Sequence, residues 1–450
     1  MLSDKKMIFL KGTLILTITG ITNRFIGFFY RIFLSGKIGA EGMGIYQLIF
    51  PVVAICHSLT NGGIHIAISK LTAEKHADHD ESGARNVLFG GLLISVSLSL
   101  LVGTLLLSFA DVIAVELYKE KRCISLFQLI ALSLPFSAIH SCVCGYYYGK
   151  KQTQIPALSQ LLEQLTRVGS VYFMYQITEE YPQNVTLLIA VAGMVFGEFI
   201  SMLFSLTVLS FRHTSFYHPQ GNLILKPIIK LSLPISCNQL TLHLLQSLEA
   251  ILLPIMLISS GLIKVEALSV YGTLTGMALP FILFPSTITH AISTLLLPTI
   301  AEANTSNNNL LIRSLFQKTF FLSIAFGFFL TLVFFLFGDF CGNFFFHSTQ
   351  AGNFIRILSF LCPFLCLVTT LESILNGLGK TFTSFLHNTF GLILRILFVI
   401  LAIPKHGILG YLWGILACEI LIGILHTFSL LVTIQYPHSY EQKSMQNHLR

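Results

Sequence analysis

Charged side chains are scarce in this sequence, and their scarcity excludes most classes of soluble protein. Asp, Glu, Lys and Arg make up 10% of the 450 residues, whereas a soluble domain carries roughly 25%. Apolar residues make up 54%, with 39 Phe, and a soluble fold would leave much of that apolar surface in water. A soluble enzyme, a coiled coil, a collagen and a disordered chain are therefore excluded, and a polytopic membrane protein is predicted.

Motifs for catalysis and for metal, nucleotide and nucleic-acid binding are also missing. The sequence has no P-loop, hydrolase, kinase or zinc-protease pattern, so neither an enzyme activity nor a cofactor is predicted. Its net charge of +7 is not concentrated in a cluster of the kind that binds nucleic acid. The pairs Cys142/Cys144 and Cys362/Cys366 have no second pair or nearby His at ligand spacing, so no metal site is predicted.

Twelve apolar segments are long enough to cross a membrane as helices, which requires about 20 residues each. They are too long for barrel strands and lack a period of two. The predicted spans 1 to 12 are 8–33, 44–69, 86–110, 123–147, 155–177, 185–210, 227–259, 268–299, 312–337, 354–377, 382–403 and 408–434.

Lys and Arg concentrate in the loops on the side of the N-terminus, including Lys70, Lys75, Lys150 and Lys380. Positive charge favours the cytoplasmic side of a membrane protein. Both termini are therefore predicted to be cytoplasmic.

The two halves of the chain share a pattern. The steps from Lys11 to Asn23 and from Lys226 to Asn238 are equal, and further matches follow in chain order at offsets of 215 to 230 residues. Two six-helix lobes in the same orientation are therefore predicted, as in transporters whose halves rock about a central cavity. The predicted domains are 1–215, 216–436 and a cytoplasmic tail, 437–450.

Span 1 carries an unusual line of polar positions. Gly20, Arg24, Gly27 and Arg31 lie on one helical face, and Arg24 is close to the middle of the span. A charge at that depth marks a functional site by default. Either Arg24 faces a cavity and binds an anion, or it pairs with a structural carboxylate or carbonyl; the cavity site, including Arg31, is favoured.

Span 7 carries a second polar stripe, which is predicted to form the opposite wall of the substrate cavity. It consists of Asn238, Gln239, His243, Gln246 and Glu249. Since Glu249 is near one end of the span, a carboxylate that reaches the membrane surface is the alternative interpretation for that residue.

Span 2 combines polar and flexible positions. His57, Asn61 and His65 share one face; without an acidic neighbour they favour polar packing over a metal pair, and Asn61 is retained as a candidate substrate residue. Broken helices in matching positions of two halves are typical of moving parts. The predicted hinges are Gly62 and Gly63 in span 2, with Pro280 and Pro285 in its repeat mate, span 8.

Two further acidic residues lie inside predicted spans. Glu163 and Arg167 are four residues apart in span 5, a spacing that favours a structural ion pair. Glu372 in span 10 is the candidate carrier of a proton or another coupling cation. No role is assigned to Glu198, Arg395 and Glu419.

Several segments carry a family resemblance, and the first is quite specific. The segments are Phe9–Pro51, which includes TNRFIGFFYR, Asn61–Lys75, Tyr146–Val168, Leu279–Ala303 and Glu372–Lys380. They resemble the stage V sporulation protein B family of polysaccharide biosynthesis and export proteins. That family belongs to the multidrug/oligosaccharidyl-lipid/polysaccharide exporter superfamily and is related to lipid II flippases.

The resemblance implies an all-α, V-shaped bundle whose central cavity is lined by spans 1, 2, 7 and 8. It also implies a flippase that moves an undecaprenyl-diphosphate-linked sugar or peptidoglycan precursor across the cytoplasmic membrane, for spore cortex or another envelope polymer. The expected partners are that lipid-linked substrate, membrane lipids and envelope-synthesis enzymes. Lipid II flippases carry an essential Arg in their first helix, and Arg24 matches it.

The sequence departs from many relatives in one respect, because they have fourteen spans where twelve are predicted here. A shorter paralogue with an accessory role or a different envelope substrate is one alternative. A cation-coupled multidrug antiporter of the same superfamily is another, although span 1 carries Arg and no acid. A membrane glycosyltransferase is disfavoured because no large acidic outer loop is present.

Overall fold

The computed structural model describes residues 2–177, 183–212 and 224–435, and every regular element in those ranges is helical. Short π-helical turns occur at Ser58–Gly62, Ile113–Leu117 and Thr273–Ala278, and a 3-10 turn at Ser359–Leu361. The α-helices, α1 to α16, are Leu2–His57, Gly63–Ala77, Glu81–Val112, Cys123–Gly149, Gln154–Ile177, Gln183–Arg212, Leu225–Ser259, Lys264–Gly272, Leu279–Leu283, Ser286–Thr305, Asn309–Phe346, Thr349–Leu358, Cys362–Gly377, Thr381–Leu401, Ile403–His406 and Ile408–Gln435.

Ten helical segments in the described ranges are long and apolar enough to cross a membrane. One of them, Leu14–Ala77, contains predicted span 2 and all but the first six residues of predicted span 1. Helix α5 occupies predicted span 5 but is too polar to be counted among the ten, because one of its faces carries Gln160, Glu163 and Arg167. The prediction of an all-α, multi-pass membrane protein is confirmed.

The predicted loop between spans 1 and 2 is instead part of α1, which is broken sharply at one residue. Gly39 has φ 69° and ψ −177°, a backbone conformation that glycine adopts without side-chain strain. The two spans therefore meet at a kink rather than at an extended loop.

Packing divides the chain into two units, the first of which consists of Met1–Pro254 and Ile263–Gly276. Its core joins α2, α3 and α4 through buried side chains such as Ile68, Leu88 and Tyr146. Burial of large apolar side chains and close packing hold these helices together.

The second unit consists of Ile255–Leu262 and Met277–Arg450. Its core joins α10, α11, α13 and α16 through residues such as Ile300, Phe316 and Leu371. Gly327 of α11 lies directly against the backbone of Pro363 of α13. Helices α11 and α13 therefore approach each other more closely than a larger side chain at Gly327 would allow.

The predicted lobe boundary between 215 and 216 and the predicted tail 437–450 lie outside the described residues. Helix α7 packs mainly within the first unit, although the repeat places it at the start of the second half. The two lobes, understood as the two copies of the repeat, stay a prediction.

Candidate substrate site and a buried ionic cluster

Arg24 is exposed on α1, on a different side from that helix's exposed apolar stripe. The stripe includes Leu14, Ile18, Phe25 and Phe29, which recur at helical spacing. At about 100° per residue, Arg24 points roughly 110° away from the centre of the stripe. Its guanidinium is therefore presented on a face other than the apolar one, which is the placement that an anion site needs.

The surroundings of Arg24 leave space on one side. A side chain at Gly20 would find no heavy atom within 4 Å, whereas one at Gly27 would meet the amide of Gln164 from α5 at 3.4 Å. Among the described residues, no carboxylate pairs with Arg24 or with the half-buried Arg31. The structural carboxylate partner considered for Arg24 is thus not found in this part of the chain, and its role in anion binding stays a prediction.

The polar stripe on α7 lies partly against Gly62 and Gly63 of span 2. The side-chain oxygen of Gln239 touches Gly62, and the hydroxyl of Ser236 accepts a hydrogen bond from the backbone N–H of Gly63 at 3.2 Å. His243 and Gln246 form a hydrogen bond of 3.0 Å with each other. The structure therefore brings Gln239 into contact with span 2 and leaves His243 and Gln246 accessible.

The other three predicted substrate residues have different surroundings. Asn238 is exposed on α7. Asn61 is buried and donates a hydrogen bond to Ser137 of α4 at 3.3 Å. Glu249 is 5% exposed and lies in the electrostatic range of Tyr271. Asn61 and Glu249 are therefore covered in this conformation, and their predicted substrate role is untested.

The helix geometry is irregular at both predicted hinges. The turn Ser58–Gly62 is π-helical, and Gly63 begins α2. A second π-helical turn, Thr273–Ala278, precedes Pro280, and Pro285 separates α9 from α10. Such irregular turns are frequent at functional sites, and the hinge motion itself stays a prediction.

Glu372, the predicted coupling residue, is half-buried in α13 and is hydrogen-bonded from α14. Its Oε1 accepts hydrogen bonds from Ser384 at 3.1 Å and from Asn388 at 3.0 Å. Glu419 lies within the electrostatic range of both Glu372 and Arg395. The second unit thus places an acidic pair beside one Arg.

A buried ionic cluster joins α4, α5 and α6 in the first unit. Nδ1 of His140 lies 3.5 Å from Oε2 of Glu198 and 4.0 Å from Oε2 of Glu163. Arg167 binds Oε1 of Glu163 at 2.5 Å, which confirms the predicted ion pair. On its other side, Nε2 of His140 lies 3.1 Å from the hydroxyl of Ser201.

The same cluster meets the distance requirement for a metal ion, because one donor atom each of His140, Glu163 and Glu198 lies within 4.8 Å of the others. However, Arg167 already occupies one oxygen of Glu163, and its fixed positive charge would repel a divalent ion. We therefore assign no metal to these residues.

A second ionic network ties the segment between α3 and α4 to α1 and α8. Glu120 is 3% exposed; it accepts a hydrogen bond from Nε of Arg122 at 2.8 Å and pairs with Lys264 at 2.9 Å. Arg122 also binds Glu41 of α1 at 2.5 Å. Burial opposes ionisation of Glu120, but the hydrogen bonds from Arg122 and Lys264 outweigh it and lower its pKa to about 2.

Sequence reasoning missed the role of His140 in the ionic cluster. A single His among apolar residues of span 4 gives no local sign of a partner, and Glu198 was unassigned. The signal available in the sequence was an imbalance of charge. Glu163 and Glu198 are two acids in neighbouring spans with only one base, Arg167. Because buried charges are usually compensated, a further positively charged partner was to be expected.

Two family models match the sequence. The family described as polysaccharide biosynthesis protein matches residues 9–304, and the MatE family matches residues 240–401. Stage V sporulation protein B of Bacillus subtilis (strain 168) is 30% identical over 435 residues, which cover 94% of this chain and 83% of that protein. Lipid II flippase MurJ of the same organism is 23% identical over 167 residues, covering 35% of this chain and 31% of that protein.

The fold matches solved transporter structures. A structure described as the inward-facing conformation of a multidrug resistance MATE family transporter of the MOP superfamily has a TM-score of 0.73 and 17% sequence identity; the match covers 92% of this chain and 94% of that one. At this identity the likeness shows the fold alone. The all-α, multi-helix fold implied by the family resemblance is therefore confirmed.

Proposed function

Because this chain belongs to the polysaccharide biosynthesis protein family, we propose that it is a flippase for a lipid-linked oligosaccharide or peptidoglycan precursor. The substrate carries an undecaprenyl diphosphate and crosses the cytoplasmic membrane by alternating access, for spore cortex or envelope polysaccharide synthesis. The relatives named stage V sporulation protein B and lipid II flippase support this assignment. The chain acts as a transporter rather than an enzyme, and envelope-synthesis enzymes are its expected partners.

The observation that carries this function is the exposed Arg24. A diphosphate is anionic, and a guanidinium binds it through two parallel charge-assisted hydrogen bonds. Arg24 has no carboxylate partner among the described residues, and Gly20 leaves open space beside it. An unpaired cation at membrane depth is costly unless water or a ligand anion compensates it.

The polar residues of α7 suit the sugar part of such a substrate. Amide and imidazole groups both donate and accept hydrogen bonds, as sugar hydroxyls require. Gln239, His243 and Gln246 supply these groups, together with the exposed Asn238. Asn61 and Glu249 join the site in a conformation that uncovers them, through movement at Gly62/Gly63 and Pro280/Pro285, while Glu372 carries the coupling cation.

Translocation of the headgroup in proteoliposomes tests this function. The assay follows a fluorescent undecaprenyl-diphosphate sugar that becomes accessible to a membrane-impermeant quencher. Arg24→Ala should lose transport roughly tenfold or more, because a hydrogen-bonded charge interaction is worth about 1.5–3 kcal/mol. Arg24→Lys should retain part of the activity, since an ammonium keeps the charge but loses the bidentate geometry.

The matched control is Arg313→Ala, which removes an exposed Arg at the start of α11 and should transport normally. Rates are normalised to the amount of reconstituted protein. Full activity of Arg24→Ala would contradict the anion role of this residue, and failure of the wild type to move any lipid-linked sugar would contradict the flippase function.

The alternative is a cation-coupled multidrug or small-molecule antiporter, which the MatE family match over residues 240–401 favours. Such a protein would move a cationic dye against an imposed proton or Na⁺ gradient in the same proteoliposomes. Arg24 weighs against this alternative, because its positive charge would repel a cationic substrate.

A further inference from the structure

The ionic cluster of α4, α5 and α6 carries an unbalanced charge. Glu163 and Glu198 contribute two negative charges when ionised, and Arg167 contributes one positive charge. The side chains of Glu163, Glu198 and Arg167 are only 19%, 14% and 20% exposed. An isolated net charge in such surroundings is costly, so the cluster needs one additional positive charge.

His140 is oriented to supply that charge at one nitrogen. The hydroxyl of Ser201 has two oxygen acceptors in Ser159, the side-chain hydroxyl at 2.7 Å and the backbone carbonyl at 3.2 Å. We infer that its hydrogen points to one of these two oxygens, so that its own oxygen accepts a hydrogen bond from Nε2–H of His140 at 3.1 Å. This bond keeps a hydrogen on Nε2 and leaves Nδ1 as the nitrogen that gains or loses a proton. Nδ1 faces Oε2 of Glu198, an oxygen for which no hydrogen-bond partner is found among the described residues.

Other titratable groups around the cluster do not restore the balance. They consist of phenols, a thiol and further imidazoles, which add no fixed charge of their own. Arg31 is a fixed cation nearby, but it acts on Tyr46 rather than on the carboxylates. The surrounding groups are Tyr30, Tyr46 and His57 of α1, His65 of α2, Cys144 of α4 and, beside His57, His243 of α7.

We propose that His140, Glu198 and Glu163 share one bound proton, which makes this cluster a protonation site of the first unit. In the protonated state, Nδ1–H of His140 donates to Oε2 of Glu198, and the four ionised groups sum to zero. A proton fits this place better than a metal ion, because a single positive charge completes the balance and Arg167 already occupies Glu163.

The same site gives the transport cycle a proton to exchange, and this coupling role rests on the flippase function proposed above. The existence of the proton-binding site does not rest on that function, because the protonation state can be measured without transport. A failed flippase assay would therefore not argue against the proton-binding site, and a failed protonation assay would not argue against the flippase function.

The experiment determines the protonation state of His140 at neutral pH. Protein labelled with 15N-histidine is reconstituted into lipid bilayers, and the His140 signal is assigned by its loss in His140→Gln. In the wild type this signal should be that of an imidazolium. In Glu198→Gln and in Glu163→Gln it should become that of a neutral ring, because one carboxylate then balances Arg167.

His140→Gln provides an independent test by infrared spectroscopy. This variant keeps two carboxylates and one Arg, so the proton should move to a carboxyl group and produce a protonated-carboxyl band. The double variant His140→Gln/Glu198→Gln should lack the band that His140→Gln gains over the wild type, which separates it from any carboxyl band of Glu372 or Glu419. The matched control is His65→Gln, which removes a neighbouring imidazole that has no acidic partner in the described part of the chain and should leave His140 charged.

Three outcomes would contradict the proposed proton-binding site. A neutral His140 in the wild type, without a protonated-carboxyl band that Glu163→Gln or Glu198→Gln removes, means that this cluster holds no proton. An imidazolium signal unchanged in both Glu198→Gln and Glu163→Gln means that the carboxylates do not share it. A His140 signal that depends on added Na⁺ or Zn²⁺ means that the cluster binds a metal ion instead.

Discussion

Glu120 is a buried carboxylate whose charge depends on two cations from different segments. Arg122 and Lys264 both contact it, and only 3% of its surface is exposed. Its pKa falls from 4.5 to about 2 because these hydrogen bonds outweigh the penalty of burial. A depressed pKa stabilises the folded state above pH 4.5, and this stabilisation is lost as the pH falls towards about 2.

Glu120→Gln should therefore destabilise the protein by about 1–2 kcal/mol at neutral pH, a value discounted because Lys264 remains in contact with solvent. Thermal unfolding in detergent measures the difference from the wild type. The difference should shrink as the pH is lowered below 4.5, where the wild-type carboxylate also loses its charge. The matched control is Glu116→Gln, whose exposed carboxylate contacts Lys119 only at 3.5 Å and should have no measurable effect.

Helices α1 and α8 approach each other through two glycines. A side chain at Gly44 would clash with the backbone carbonyl of Leu268, and one at Gly272 would clash with the backbone of Ala40 and Gly44. The sequence of α8 alone does not reveal this contact, because the close approach depends on how the two helices are rotated.

Gly272→Ala should consequently force the two helices apart and destabilise the protein by about 1–3 kcal/mol, as overpacking of a tight contact does. Unfolding by heat or denaturant in detergent measures the change. Gly169→Ala is the control, since a side chain at that position of α5 meets nothing within 4 Å and alanine favours a helix over glycine. Equal stability of Gly272→Ala and the wild type would show that α1 and α8 are not closely packed at this contact.

The whole molecule is predicted to cross the membrane twelve times with both termini in the cytoplasm. In a background without the accessible Cys237 and Cys341, Asn307→Cys between α10 and α11 should react with an impermeant thiol reagent only from the cytoplasmic side. Lys405→Cys, between α14 and α16, should react only from the outside. Reaction of both positions from one side would contradict the twelve-span topology, which the distribution of Lys and Arg predicts.

Fold class and span positions were predictable because each membrane helix satisfies its own backbone hydrogen bonds within one continuous apolar segment. Such a segment is a local property of the chain, so periodicity and length identify it. The same holds for the ion pair of Glu163 and Arg167, which are one helical turn apart. The break between predicted spans 1 and 2 is confined to Gly39, and local composition does not show that the helix continues on both sides of this residue.

The sequence by itself therefore determined the membrane class, the helices and the family, and it placed Arg24 within an apolar helical segment. Only the tertiary structure decided that His140, Glu163 and Glu198 meet, that Gly44 packs against Gly272, and that Asn61 and Glu249 are covered. These contacts join residues from different helices, and they depend on the rotation and register of one helix against another. Close packing sets those quantities through the side chains of all the neighbouring helices at once, so no single segment of the sequence encodes them.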